Sequence, residues 1–163
     1  MAMPYTQEDL LSLLHTDHSH FTTVITRLSD EEQLRPFTEE GWSVKDFLDH
    51  MAHWIDATNQ VLLAYLQDRP LPAPIPSGDE ANAEQRLQDT ARPLQQTRIY
   101  WEEAHVTLQH LVQTTLDDAR LIERVRHTGS AQHTEMIGNL IPEMLEHNRE
   151  HFDLIKHEVL DRL

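Results

Sequence analysis

The chain has 163 residues, 39% of them apolar, with 13 basic and 28 acidic residues and a formal net charge of −15. That excess of negative charge repels phosphate backbones and anionic lipid headgroups, which excludes nucleic acid and membrane surfaces as first-choice partners. No cysteine is present, which excludes disulfides, thiolate metal sites and a cysteine nucleophile.

The length fits one domain over residues 1–163, with a core that buries roughly 70% of the surface of the unfolded chain. No apolar run approaches the ~20 residues of a membrane span. The opening MAMPYTQEDL lacks the basic-then-apolar build of a signal peptide, so a cytoplasmic protein is expected.

Thr6 with Asp9, and Ser43 with Asp46, have the spacing of a helix N-cap and its third residue. Each hydroxyl can accept from an orphan N–H, and each carboxylate favours the positive end of the helix. Tyr5 with Leu10, and Trp42 with Phe47, take the two positions of a hydrophobic staple. A first helix is therefore expected from about Gln7 to Leu28, with Leu14, His18, Phe21, Ile25 and Leu28 at steps of four and three. LSDEEQLRPFTEEGW interrupts it, with Pro36 and Gly41 as stops. A second helix is expected from about Val44 to Gln67. RPLPAPIPSGD (69–79) is an extended connection to a third, from about Glu80 to Leu116. Its stripe is Leu87, Ala91, Leu94, Trp101, Leu108 and Val112, and Pro93 either kinks or divides it. Gly129 and Ser130 mark a turn in a less regular stretch. A last helix is expected over about Thr134 to Asp161, with Pro142 bending or shortening its start. With no alternating strand pattern and no repeat, the expected fold class is all-α, a four-helix bundle with a long connection between helices two and three.

The chain holds 12 histidines. His20, His110, His127, His133 and His157 sit among polar neighbours and are expected to be solvated. Three others are placed differently. At ~100° per residue, His50 borders the apolar arc of the second helix, whereas His53 falls on the side of Asp46 and Asp49. His147 and His151 lie ~40° apart on the last helix. They share the face of Leu140, Met144 and Leu154, and Ile141, Leu145 and Phe152 extend the arc. Imidazoles four apart can chelate one ion, and a third from a facing helix leaves a position open, as in catalytic zinc sites. Imidazole also suits nickel, copper and iron. The spacing alone is equally met by two histidines that satisfy polar contacts of the core. Asn148, not glutamate, follows His147, so the zincin pattern is absent.

GWSVKDFLDHMAHW (41–54) resembles the W-S-V-K-D-x-L-x-H-L signature of the DinB/YfiT-like metalloenzymes, and EHNREHFDLI (146–155) resembles their H-Y-x-E-H segment. The stretch LSDEEQLRP has the same family's shape, so the likeness covers nearly the whole chain. It implies a four-helix bundle with a divalent metal ion, zinc or nickel foremost, on His50, His147 and His151. His53 matches no ligand position. Asn148 replaces the family's usual aromatic residue, a departure that bears on packing. Relatives include transferases and isomerases that use a low-molecular-weight thiol, so a thiol cosubstrate is a candidate here.

The leading expectation is a metal-dependent transferase, isomerase or hydrolase acting on a small-molecule substrate. The alternative is a non-catalytic, metal-stabilised bundle that binds a small molecule or a protein. Asp46, Glu143 and Glu150 are candidates to orient the imidazoles or are ordinary surface charge. His18 and His105 interrupt apolar stripes, either as acid/base groups or as core imidazoles. Trp54, Tyr65, Tyr100 and Trp101 either contact substrate or fill the core, and Arg98 either receives an anion or points outward. The two-sided apolar character of the last helix suits a homodimer.

Overall fold

A computed structural model describes residues 4–126 and 134–163. His127, His133 and the expected turn at Gly129 and Ser130 lie outside the described residues. Four long helices carry the architecture: α1 (Gln7–Thr26), α3 (Val44–Leu66), α5 (Leu94–Thr115) and α7 (Ile137–Glu158). Shorter helices are α2 (Asp30–Leu34), α4 (Asp79–Asp89) and α6 (Asp118–Leu121).

Both expected capping boxes form. Asp9 N–H donates to Thr6 Oγ1 at 3.1 Å while Asp9 Oδ2 accepts from Thr6 N–H at 2.9 Å. Asp46 and Ser43 repeat the exchange at 3.2 and 2.8 Å. Trp42 and Phe47 close the staple with ring centroids 5.0 Å apart. The stretch read as an interruption contains a further box, in which Ser29 and Glu32 start α2 at 3.2 and 2.7 Å.

α3 packs on α5 and α7, and α1 packs on the same two helices. The consecutive long helices α1 and α3 therefore face each other across the bundle instead of lying side by side. Leu14 and Phe21, Leu48 and Met51, Leu108 and Val112, and Ile141 and Leu145 meet in the shared core. The periodic apolar stripes bring them there.

Pro93 divides the expected third helix, because it is the N-cap of α5 and ends the pattern begun in α4. Leu87 is accordingly 76% exposed, not part of a continuous stripe, and Ala91 is exposed as well. The long connection between α3 and α5 thus holds α4 in its second half. Its proline-rich first half is anchored where Leu71 packs with Val61 and Ala64. The last helix begins at Ile137, later than expected, because Glu135–Met136 (β2) pair antiparallel with Arg124–Val125 (β1). Pro142 sits in the second turn of α7 and forgoes one intrahelical bond without breaking the helix. At Gly138 a Cβ would lie 2.9 Å from the Leu121 carbonyl oxygen, so only glycine lets α6 approach α7 this closely.

A buried ionic cluster binds α4 and α5 to α3. Lys45 Nζ donates to Asp49 Oδ2 at 2.8 Å and to the Asp89 carbonyl at 3.2 Å. Arg92 Nη1 donates to Asp49 Oδ1, and Thr97 Oγ1 donates to Asp49 Oδ2 at 3.0 Å. Arg92 Nη2 pairs with Asp89 at 3.3 Å. Arg86 adds a second tie, donating to the Gly41 carbonyl at 2.6 Å while its guanidinium lies 5.5 Å from the Trp42 ring centroid.

Among the described residues no helix is long and apolar enough to cross a membrane.

Candidate metal centre

The start of α3 and the middle of α7 bring three imidazoles to one point. His147 Nε2 lies 3.1 Å from His50 Nε2 and 3.3 Å from His151 Nε2. One nitrogen from each ring lies within 4.8 Å of the others. The converging rings are those of His50, His147 and His151. His53, three residues after His50, stays outside the trio.

These distances fit a shared ion. Two nitrogens each ~2.0–2.1 Å from a tetrahedral zinc stand roughly 3.3 Å apart. The chemistry of the donor set agrees. A single N–H on His147 Nε2 could serve one of its two neighbours, not both, whereas one cation accepts lone pairs from all three rings. Neutral rings are required for this, and the surroundings enforce neutrality. Burial pulls His50 down to about 3, with His151, His147 and His53 pushing the same way. Burial and then His147 bring His151 to about 4. Burial also lowers His147, opposed by the nearby charge of Glu150.

Aromatic rings form the low-dielectric collar responsible. Trp42 stands edge-on to His50 at 5.8 Å, Phe47 lies 5.1 Å from His151 and Trp54 lies 4.9 Å from His147. Trp54 is thus part of the site and not merely core filling. Asn148 is 2% exposed, and its Nδ2 donates to Met144 Sδ at 3.3 Å, so the departure at this position is a matter of packing behind the imidazoles.

Among the described residues, two cavities reach the trio. The smaller, about 240 Å³, lies between α3 and α4 and is lined by His50, His53 and Trp54 on one side and Asn82, Gln85 and Gln88 on the other. The larger, about 570 Å³, is bounded by α3, the proline-rich segment and α7, and reaches His147. Its size suits a small-molecule ligand.

Of the carboxylates considered for orienting the imidazoles, Asp46 Oδ2 is committed to Ser43 and pairs with Arg86 Nε at 3.3 Å. Glu150 is exposed and acts on His147 through its charge. Glu143 lines the larger cavity, where burial and a hydrogen bond with Glu135 push its carboxyl up to about 7. Glu135 was not legible from the sequence, because the contact depends on β2 folding back against α7.

The other candidates do not line either cavity. His18 Nε2 lies 2.8 Å from Glu102 Oε2, and its ring stacks on Trp101 at 5.2 Å. Tyr65 donates to Glu123 at 2.5 Å, and Tyr100 lies under the Arg92 guanidinium at 4.8 Å. Arg98 donates to Asp30 Oδ1 at 2.7 Å and Gln33 Oε1 at 3.3 Å, so it ties α2 to α5.

His105 is a core imidazole, 1% exposed with Nδ1 unpartnered, and set edge-on to Trp101 at 4.7 Å. Burial, then His18, pulls it down to about 3. Its folded-state value lies below the ordinary one near 6.5. The unfolded chain therefore binds the proton first, and stability falls as pH drops from about 6.5 toward 3. Between pH 7 and pH 5 this group costs about 2 kcal/mol. Urea unfolding at the two pH values is expected to show that much less acid sensitivity in His105→Leu than in the parent. An equal acid loss in both proteins would contradict the assignment.

The chain belongs to the DinB superfamily, whose family model matches residues 13–155. Its fold is that of YfiT from Bacillus subtilis, described as a probable metal-dependent hydrolase with an unusual four-helix bundle topology. The two share 18% identity with a TM-score of 0.69, covering 93% of this chain and 83% of that one. The mycothiol-dependent maleylpyruvate isomerase aligns at 17% identity and a TM-score of 0.71, covering 90% of this chain but only 59% of the isomerase. A Streptococcus pneumoniae protein aligns at 11% identity and a TM-score of 0.61, covering 95% and 94% of the two chains. No curated protein matches the sequence.

Proposed function

We propose that this protein is a metal-dependent enzyme acting on a small molecule, with His50, His147 and His151 as the ligands of one divalent ion, zinc or nickel. The observation that carries the reading is the convergence of three neutral imidazole nitrogens, 3.1 and 3.3 Å apart at His147, beside a cavity. A bound ion supplies Lewis acidity, lowering the pKa of a water or thiol or polarising a carbonyl. The protein supplies the rest. Trp42, Phe47 and Trp54 exclude water around the rings, and α4 with the proline-rich segment walls the approach. Transfer, isomerisation and hydrolysis are the reaction types that suit such a site. The descriptions of the two enzyme-like structural neighbours, one metal-dependent and one thiol-dependent, support them and keep a low-molecular-weight thiol as a candidate cosubstrate. A homodimer belongs to the same reading, supported by the apolar edge of α7 on which Leu154 is 38% exposed.

The test is elemental analysis and thermal unfolding of protein prepared without a histidine tag. About one ion per chain is expected. At an ion concentration a hundredfold above Kd, binding adds about 2.7 kcal/mol. Chelation should then lower the thermal midpoint by roughly 5–10 °C. A stoichiometry near zero after incubation with zinc and with nickel would overturn the reading. Metal-dependent turnover in a panel of thiols with electrophilic substrates separates an enzyme from a metal-stabilised binder.

A further inference from the structure

His53 is not one of the three converging rings, yet it borders the space on both sides of them. It is half-buried on α3 and lines the smaller cavity together with His50 and the larger one together with His147. Among the described residues, the side chains common to the two cavities are those of His53, Trp54 and Ile75. Ile75 is apolar. Trp54 offers a single N–H donor, and its ring is packed against the trio, 6.3 Å from His50 and 4.9 Å from His147. A neutral imidazole carries one N–H donor and one lone-pair acceptor, so His53 is the shared group that can both give and receive a hydrogen bond. Other polar side chains serve one cavity each: Asn82 and Gln85 line the smaller, Asp56 and Gln60 the larger. Side chains three apart on a helix have Cβ atoms about 5–6 Å apart, so one small molecule spans from His50 to His53.

We propose that His53 hydrogen-bonds the molecule occupying the position that His50, His147 and His151 leave open, whichever cavity that molecule enters by. His53 is then a substrate-contacting residue that orients its ligand and leaves coordination to the other three. Trp54 and Ile75 beside it supply an apolar setting, in which a hydrogen bond is stronger than in water. The role sets a requirement on the ligand, a hydrogen-bonding atom close to the atom that takes the open position. The inference rests on the proposed metal-dependent function and deepens it by naming the group that holds the substrate there. An imidazole that only decorates the surface of α3 would leave binding at the open position unchanged, and that difference is measurable.

Cobalt(II), which imidazole ligands also bind, makes the site visible by absorption. Tag-free protein loaded with cobalt at pH 8 is titrated with azide, a small anion with an acceptor nitrogen beyond the coordinating one. The parent is expected to take up about one cobalt ion and to shift its visible bands as azide binds. His53→Ala should take up cobalt equally and show the same bands without azide, but bind azide about tenfold more weakly, the scale of one hydrogen bond to a charged group. His53→Gln, which keeps an N–H donor, should recover most of that loss. Undiminished azide affinity in His53→Ala, or His53→Gln binding no more tightly than His53→Ala, would overturn the inference. Altered bands in azide-free His53→Ala would also overturn it, because the residue would then act on the ligand set itself. So would a cobalt-loaded parent that azide leaves unshifted. Cobalt uptake separates the two failures. Uptake without a His53 effect removes this inference alone, whereas a parent that takes up no cobalt removes the metal reading and this inference with it.

Discussion

Replacing His50 with alanine is expected to abolish retention of a divalent ion, and His147→Ala is expected to do the same, while His53→Ala retains it. Losing a group that merely supports a metal ligand costs about 10–100-fold in affinity. Losing one of three ligand nitrogens should exceed that range, because two neutral imidazoles compete poorly with water for the ion. His147 is the most exacting position, since its Nε2 is the one placed near both partners. His53 tests the facing argument. It follows His50 by less than a turn and lines both cavities, yet its ring is not among the convergent three. Elemental analysis and zinc calorimetry measure the outcome. Retention by His50→Ala, or equal loss in all three variants, would show that the ion is held elsewhere or not at all.

The second large effect is expected at Asp49, the residue before His50. Asp49 is 1% exposed and accepts from Lys45, Arg92 and Thr97, and Lys45 is itself 5% exposed. Asp49→Ala leaves the Lys45 ammonium in the interior without its carboxylate. Breaking a buried pair in this way costs about 3–5 kcal/mol, far more than the pair itself is worth. The Lys45→Met/Asp49→Leu double variant should therefore be markedly more stable than Asp49→Ala, despite carrying two changes. Urea unfolding of the three proteins measures the difference. If the double variant were as unstable as the single one, lost packing rather than an uncompensated charge would be responsible. The cluster also matters to the site, because Arg92, Asp89 and Gln85 link α4, a wall of the smaller cavity, to the helix that carries His50.

The element starts were legible wherever a cap is written in adjacent residues. Thr6 with Asp9 and Ser43 with Asp46 needed only local chemistry, and the same logic would have found α2 from Ser29 and Glu32. Pro93 was read as a kink or a break, and the structure makes it a break. That choice depends on where α4 docks, through Lys45, Arg86 and Arg92 reaching partners more than forty residues away. The stripe through Leu87 failed for that reason. The expected inward face of α7 was nearly correct, except that Leu154 turned out to lie at an exposed edge.

The sequence by itself determined the helical class, the caps, the negative charge and the three histidines that share inward-facing arcs, because each follows from spacing along one element or from a motif. Only the tertiary structure decided that α3 and α7 are neighbours and that Trp54 stands against His147. It also decided that Arg98 is occupied by Asp30, and that Glu135 meets Glu143. Those facts depend on distances between elements far apart in the chain. Helical periodicity says which way a side chain points, and only packing says what it meets there.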